Sequence, residues 1–184
     1  MKRLLENLLE QDIFKPPTEE ELEQRKKEFI KNFMKRGKRN PDGSYDFDCN
    51  LYDVSGVVKD GKFTIKFGKV EGDFNCVNCG LTTLEGAPKY VGGNFKCNNN
   101  QLTSLEGGPE YVGKDFDCSF NKLTTLKGAP KYVGGSFYCV SNKLTSLEGA
   151  PEYVGVHFGC RRNKKKFTEE DVNKVSEVKG VIFV

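Results

Sequence analysis

From Phe74 to Cys160 the chain repeats itself every 21 residues, and few architectures accommodate such a period. Phe74, Phe95, Phe116, Phe137 and Phe158 keep this spacing, as do Cys76, Cys97, Cys118, Cys139 and Cys160. Between them recur Leu81, Leu102, Leu123 and Leu144, then Leu84, Leu105, Leu126 and Leu147. Pro88, Pro109, Pro130 and Pro151 follow, and then Tyr90, Tyr111, Tyr132 and Tyr153. A unit this short cannot bury its apolar residues alone and must bury them against the next copy. The period therefore predicts a solenoid held together by nearest-neighbour stacking.

Within one unit the spacing has a physical cause. Phe95 and Cys97 lie two apart, which on a strand turns both side chains inward and Lys96 outward. Asn100, Asn121, Asn142 and Asn163 then stand at a bend, where a stacked amide can satisfy backbone groups of its own coil and of its neighbour. "LTSL" sends two leucines back into the core, and "EGAP" supplies a glycine for an unusual backbone angle and a proline that stops any helix. The return arm is expected to be extended or a short helical turn.

The frame L-x-L-x-x-N-x-L, filled here by Phe95, Cys97, Asn100 and Leu102, resembles a leucine-rich repeat. Its "LTSLEGAP" form is similar to repeats of bacterial effectors and, more closely, of bacteriophage proteins. Those phage proteins similarly place "FGKVEGDF"-like sequence (here Phe67 to Phe74) before the first coil and "FTEEDV…VKG" after the last. The resemblance covers about Tyr45 to Val184. It implies an α/β repeat solenoid of 21-residue coils with a parallel sheet on one face, a phage-encoded protein, and no known activity. The similar effectors join their repeats to a separate ligase domain, for which the residues after this array are too few.

Seven cysteines invite a disulfide or metal reading, above all "CVNC" (Cys76 and Cys79). The period argues against both. One thiol per coil gives a line spaced by the strand separation of about 4.8 Å. A line cannot surround a zinc ion, and parallel neighbours do not aim their Cβ atoms at one another. The ladder is read as packing, with no metal and no cofactor, and a row of reduced thiols points to a reducing intracellular setting, here a host cytoplasm, with a virion as the separate alternative. Cys79 is the exception, standing where other coils carry asparagine.

Both ends read as caps. Thr18 and Glu21 form a capping box ahead of Leu22, Lys26, Phe29, Ile30, Phe33 and Met34 at helical spacing, which predicts a helix over 18–36 whose apolar face covers the solenoid. Phe47 and Cys49 suggest a degenerate first coil, and "KDGK" a hairpin. Thr168 and Asp171 form a second box, with Phe167 placed to staple onto Val172, before a closing strand "VIFV". The expected organisation is a helical segment and cap over 1–40, a degenerate coil and hairpin over 41–70, the array over 71–163, and a helix-strand cap over 164–184. Leu4, Leu5, Leu8, Leu9 and Ile13 form an amphipathic stripe too short to be stable alone, so it is expected to dock on this protein or on another. The opening residues do not read as a secretory signal, because Glu6, Glu10 and Asp12 interrupt the leucines.

With 36% hydrophobic and 30% charged residues and a net charge of +3, no apolar run approaches a membrane span, and whole-molecule charge does not call for nucleic acid. Two local clusters, "MKRGKR" and "RRNKKK", keep nucleic-acid binding as an alternative, although neither interleaves aromatics for base stacking. Catalysis is not expected. His157 is the only histidine and no nucleophile is tied to it, while Lys89, Glu110, Lys131 and Glu152 alternate sign as a surface ladder. The reading is a non-catalytic protein-interaction module, monomeric or virion-associated, that binds a host or virion protein. A structural or cargo role in a virus particle is the alternative. The binding face is expected at the variable outward positions: Lys96, Asp117, Phe120, Tyr138, Val140, His157, Arg161 and Arg162, with Phe120 and Tyr138 flanked by arginines as an interface centre.

Overall fold

The computed structural model describes residues 16–184; the amphipathic stripe from Leu4 to Ile13 lies outside them. Helix α1 (Glu19–Met34) starts at the expected box. Glu21 N donates to Thr18 Oγ1 at 3.2 Å, and Thr18 N to Glu21 Oε2 at 2.8 Å. Its apolar stripe covers the solenoid only over its C-terminal part, through Phe33 and the partly buried Ile30. Phe33 is buried, 5.2 Å from the Phe47 ring and 6.2 Å from Phe67, whereas Leu22 and Phe29 stay exposed.

Strands β1 (Lys38–Arg39) and β2 (Tyr45–Phe47) pair antiparallel. After a single 3₁₀ turn, β3 (Val58–Lys59) and β4 (Lys62–Phe63) form the "KDGK" hairpin, whose Asp60 and Gly61 both take positive φ (51° and 75°), as a tight hairpin turn requires. Strands β5 (Phe67–Val70) and β6 (Phe74–Asn75) then open the regular array.

Each following coil carries two short strands. One is a Tyr-Val pair: β7 (Tyr90–Val91), β9 (Tyr111–Val112), β11 (Tyr132–Val133) and β13 (Tyr153–Val154). The other begins at the repeated phenylalanine: β8 (Phe95–Lys96), β10 (Phe116–Asp117), β12 (Phe137–Tyr138) and β14 (Phe158–Gly159). After α2 (Glu169–Asn173), β15 (Glu177–Val178) and β16 (Ile182–Phe183) complete the last coil. In-register pairing builds two sheets, β1-β2-β5-β7-β9-β11-β13-β15 and β6-β8-β10-β12-β14-β16, parallel throughout apart from the β1–β2 pair. The molecule is a capped repeat solenoid. Its expected sheet is the phenylalanine one, and the return arm adds a second, because Tyr and Val are strand formers with one inward side chain per coil.

The core follows the period. Phe74, Phe95, Phe116 and Phe137 stack with centroids 5.3–5.5 Å apart and planes within 8° of parallel, while Phe158 tilts by 42°. The valine, leucine and cysteine rows between the sheets are buried. Each "EG" turn closes from Ala87 N to Leu84 O (2.9 Å) or its equivalents, with Gly86, Gly107, Gly128 and Gly149 at φ of 84–89°, the third position of a type II turn.

The first coil needs a correction. Phe47-Asp48-Cys49 is not a copy of the Phe-x-Cys strand. Phe47 pairs with Val70 in the tyrosine sheet, and Leu51 bridges to Phe74 in the phenylalanine position. The first coil is two residues longer than the others, and Phe47 lies off the period, four residues before Leu51, the residue that takes the phenylalanine position. Leu51 is buried, whereas Cys49 is half-buried and accepts a long contact from Arg36 Nη2 at 3.5 Å. At the other end Thr168 and Asp171 form the expected box, and Phe167 and Val172 are both buried. Among the described residues no helix is long and apolar enough to cross a membrane.

Candidate functional site

Two buried ladders hold the phenylalanine sheet in place. Asn121 Oδ1 accepts from Leu102 N of the preceding coil at 3.0 Å, and its Nδ2 donates to Cys97 O (3.0 Å) and Cys118 O (3.1 Å). Asn100, Asn142 and Asn163 repeat this pattern. Beside them the thiols lie within the core. Cys118 Sγ donates to Tyr138 O at 3.3 Å, with Cys76 and Cys139 making the equivalent bond. Burial pushes the Cys76, Cys97, Cys118 and Cys139 thiols well above the usual cysteine value, and Cys160 up to about 11. Burial thus favours the neutral thiol over the thiolate, which is the form that acts as nucleophile. Among the described residues no cluster of three or more His, Cys, Asp or Glu is arranged to hold a metal ion.

A third ladder was not read from the sequence. At the corner between the sheets, Asn50 Oδ1 accepts from Asp73 N, Asp73 Oδ1 from Asn94 N, Asn94 Oδ1 from Asp115 N, and Asp115 Oδ1 from Ser136 N, all at 2.7–3.1 Å. Residue identity changes from coil to coil, but Asp73, Asn94 and Asp115 each accept at a 21-residue spacing; among the described residues Ser136 makes no such bond to the next coil, and the ladder resumes at His157. His157 belongs to this ladder. Its Nδ1 accepts from Val181 N at 3.1 Å, and its ring lies 5.4 Å from Phe183. His157 is therefore a corner residue that seats the last coil, set apart from the outward strand rows.

The remaining candidates fall on the phenylalanine sheet and its trailing turn. Lys96, Asp117 and Tyr138 share one outward row in register, continued by Gly159 and Phe183. The Tyr138 ring lies over Gly159, where an added Cβ would come within 2.8 Å of it. Asp117 Oδ1 accepts from Ser119 N (2.9 Å), and Ser119 Oγ accepts from Val140 N (3.2 Å). Arg161 Nε donates to Val184 O (3.2 Å) with its guanidinium 5.3 Å from the Phe183 ring centre. Phe120 and Arg162 are not on the strand but in the turn that follows it. Asn78, Asn99, Phe120, Ser141 and Arg162 all hold φ of 54–57°, the left-handed region. Phe120 is 51% exposed, and its N–H donates to Val140 O (2.9 Å), which fixes its backbone beside the next coil.

The charged candidates are more neutralised than the sequence implies. Lys165 of the basic run pairs with Asp171 at 3.1 Å and lies 5.2 Å over Phe167. Arg36 and Lys38 share a surface pocket with Asp46, Asp48 and Glu71. The alternating ladder includes a Lys131–Glu152 pair at 3.6 Å, both side chains more than 70% exposed. Comparison with protein families, with curated proteins and with solved structures gives no match to this chain. The fold and surface define the class: a repeat solenoid whose constant phenylalanine, cysteine, leucine and valine rows face inward, whose phenylalanine sheet varies outward from coil to coil, and whose tyrosine row is constant but solvent-facing.

Proposed function

We propose that this chain is a non-catalytic protein-interaction module, of the phage leucine-rich-repeat type its repeats resemble, and that it binds a host or virion protein through the outward face of the phenylalanine sheet. The observation that supports this most is Phe120. A bulky aromatic in the left-handed region is unfavourable there, and half-exposing it adds a second cost. The same turn in other coils carries Asn78, Asn99, Ser141 and Arg162, of which the two asparagines suit that backbone best and none is a bulky aromatic. A residue that costs stability on two counts, bonded through its backbone to Val140 of the next coil, whose outward row carries Tyr138, has the composition of an interface centre.

Phe120→Asn separates function from folding. The variant should be as stable as the parent or more so, by about 0.5–1 kcal/mol, through relief of the left-handed strain. It should also lose a partner recovered by affinity co-purification from infected or uninfected host cells, as should Phe120→Ala with Tyr138→Ala. Unchanged recovery with both variants would refute the assignment of this face.

A further inference from the structure

The tyrosine sheet carries a second surface that the proposal above does not use. Tyr90, Tyr111, Tyr132 and Tyr153 form a continuous stack on its solvent side, with centroids 4.9–5.0 Å apart and planes within 3° of parallel. Tyr111 and Tyr132 are 36% and 39% exposed. Two residues further along each strand comes Gly92, Gly113, Gly134 or Gly155. A Cβ at any of these would meet the carbonyl oxygen of the preceding coil at 2.1–2.3 Å, so close coil spacing forbids a side chain there. The face is thus a ridge of rings beside a bare strip, about 7 Å apart, both running along the solenoid axis.

Charge marks the ends of both rows. In-register pairing makes the ridge read Lys69, four tyrosines, Glu177. The strip reads Glu71, four glycines, Lys179, by the bonds Gly92 N to Val70 O and Lys179 N to Val154 O. Lys69 pairs with Glu71 at 2.6 Å, and Lys179 with Glu177 at 2.5 Å. Lys69 also lies 4.6 Å over the first ring. Because the rings cover one another, their faces are closed to a flat ligand, and only the edges of the ridge are free.

From this pattern the geometry points to a second copy of this chain as the occupant, packed face to face about a two-fold axis parallel to the solenoid. That operation keeps each coil at its own level and exchanges the two rows. Every tyrosine edge then seats on a glycine of the partner copy, Lys69 meets the partner's Glu71, and Glu177 meets the partner's Lys179. A two-fold axis across the solenoid would set ridge on ridge and leave the strips unfilled. Both ends would still match in charge, so shape decides the orientation. The tyrosine edges supply apolar contact with little side-chain entropy to lose.

Sedimentation velocity of the full chain over a concentration series to about 100 μM tests this, a range that detects association at the micromolar level. The expected species has twice the chain mass of 20.7 kDa. A monomer at every concentration overturns the proposal. Tyr132→Lys should weaken association about thirtyfold or more, as removal of a central aromatic anchor does. Should that variant lose its far-UV signal, Lys69→Glu with Lys179→Glu sets like charges opposite at both ends while leaving every tyrosine in place and should also dissociate the dimer. The exchange Lys69→Glu with Glu71→Lys keeps every end pair matched in the parallel arrangement, so the dimer should survive. It places like charges together in the antiparallel one, so loss of the dimer overturns the stated orientation. Phe120→Asn should leave the dimer intact, so failure of the partner-binding face and failure of this one are read separately.

Discussion

Replacing Asn121 by alanine tests how the solenoid is held together. Asn121 is 8% exposed, and its amide makes one accepted bond and two short donated ones. The two cysteine carbonyls would not be orphaned, because Asn100 Nδ2 still donates to Cys97 O (3.0 Å) and Asn142 Nδ2 to Cys118 O (3.1 Å). Leu102 N–H, on a fully buried residue, would lose its only acceptor among the described residues. One unsatisfied buried donor costs about 1–3 kcal/mol, and the lost bonds to already satisfied carbonyls add about 1 kcal/mol together, giving about 2–4 kcal/mol. A repeat array need not unfold in one step, so the readout is amide exchange at Leu102 together with urea denaturation. Protection at Leu102 should fall roughly 30- to 1,000-fold. A loss below about fivefold would show that water or a relaxed backbone replaces the side chain and would refute the ladder as the source of coil-to-coil order.

The aspartate variant sharpens the same test. Asn121→Asp keeps an acceptor for Leu102 N–H but sets a carboxylate against Cys97 O and Cys118 O, with burial added, so its folded pKa must rise above the ordinary value of about 3.9. A raised acid pKa means the folded state holds its proton longer than the unfolded chain. The variant's stability is therefore greatest below about pH 3.9 and is lost as pH rises through the folded value. Asn121→Asp should be worse than Asn121→Ala at neutral pH and should approach it in acid.

The stacking direction, the inward rows and both capping boxes were legible in the sequence, because a 21-residue period and an S/T-x-x-[DE] frame each state a geometry directly. What escaped has specific causes. The second sheet rests on Tyr-Val pairs only two residues long, too short for an alternation to show. The Asp73, Asn94, Asp115, Ser136 and His157 corner ladder was hidden by changing residue type, although the acceptor capacity is periodic. The first-coil register failed because Phe47 and Cys49 match the Phe-x-Cys frame locally while lying off the period, and strand pairing gives that position to Leu51. Among the site residues, strand alternation placed Lys96, Asp117 and Tyr138 correctly on one outward row. Only backbone angles could show that Phe120 and Arg162 sit in left-handed turns.

The remaining predictions rest on particular contacts. Asp171 is held below the ordinary aspartate value by Thr168 N–H first and by Lys165 next, so its contribution is present above about pH 3.8 and lost as pH falls through the depressed value; in that acid range exchange at Thr168 N–H should rise, and Asp171→Ala should abolish the dependence. Leu51→Ala should cost about 2–4 kcal/mol and Cys49→Ala less than about 1 kcal/mol by urea denaturation, since only Leu51 fills the phenylalanine position; equal costs would restore the rejected register. Cys118→Ala should cost about 1–2 kcal/mol by core truncation, whereas Cys118→Asp should unfold the middle coils, because a lone carboxylate there faces Tyr138 O and has no cationic partner. The same burial predicts two kinetic classes with a thiol reagent. The half-buried Cys49 and Cys79 should react first, and the five buried thiols only at the rate at which the solenoid opens. Rapid reaction of all seven thiols, or a melting temperature that falls on chelation, would show that the cysteine row is open or metal-bound and that its neutral, packed state is wrong.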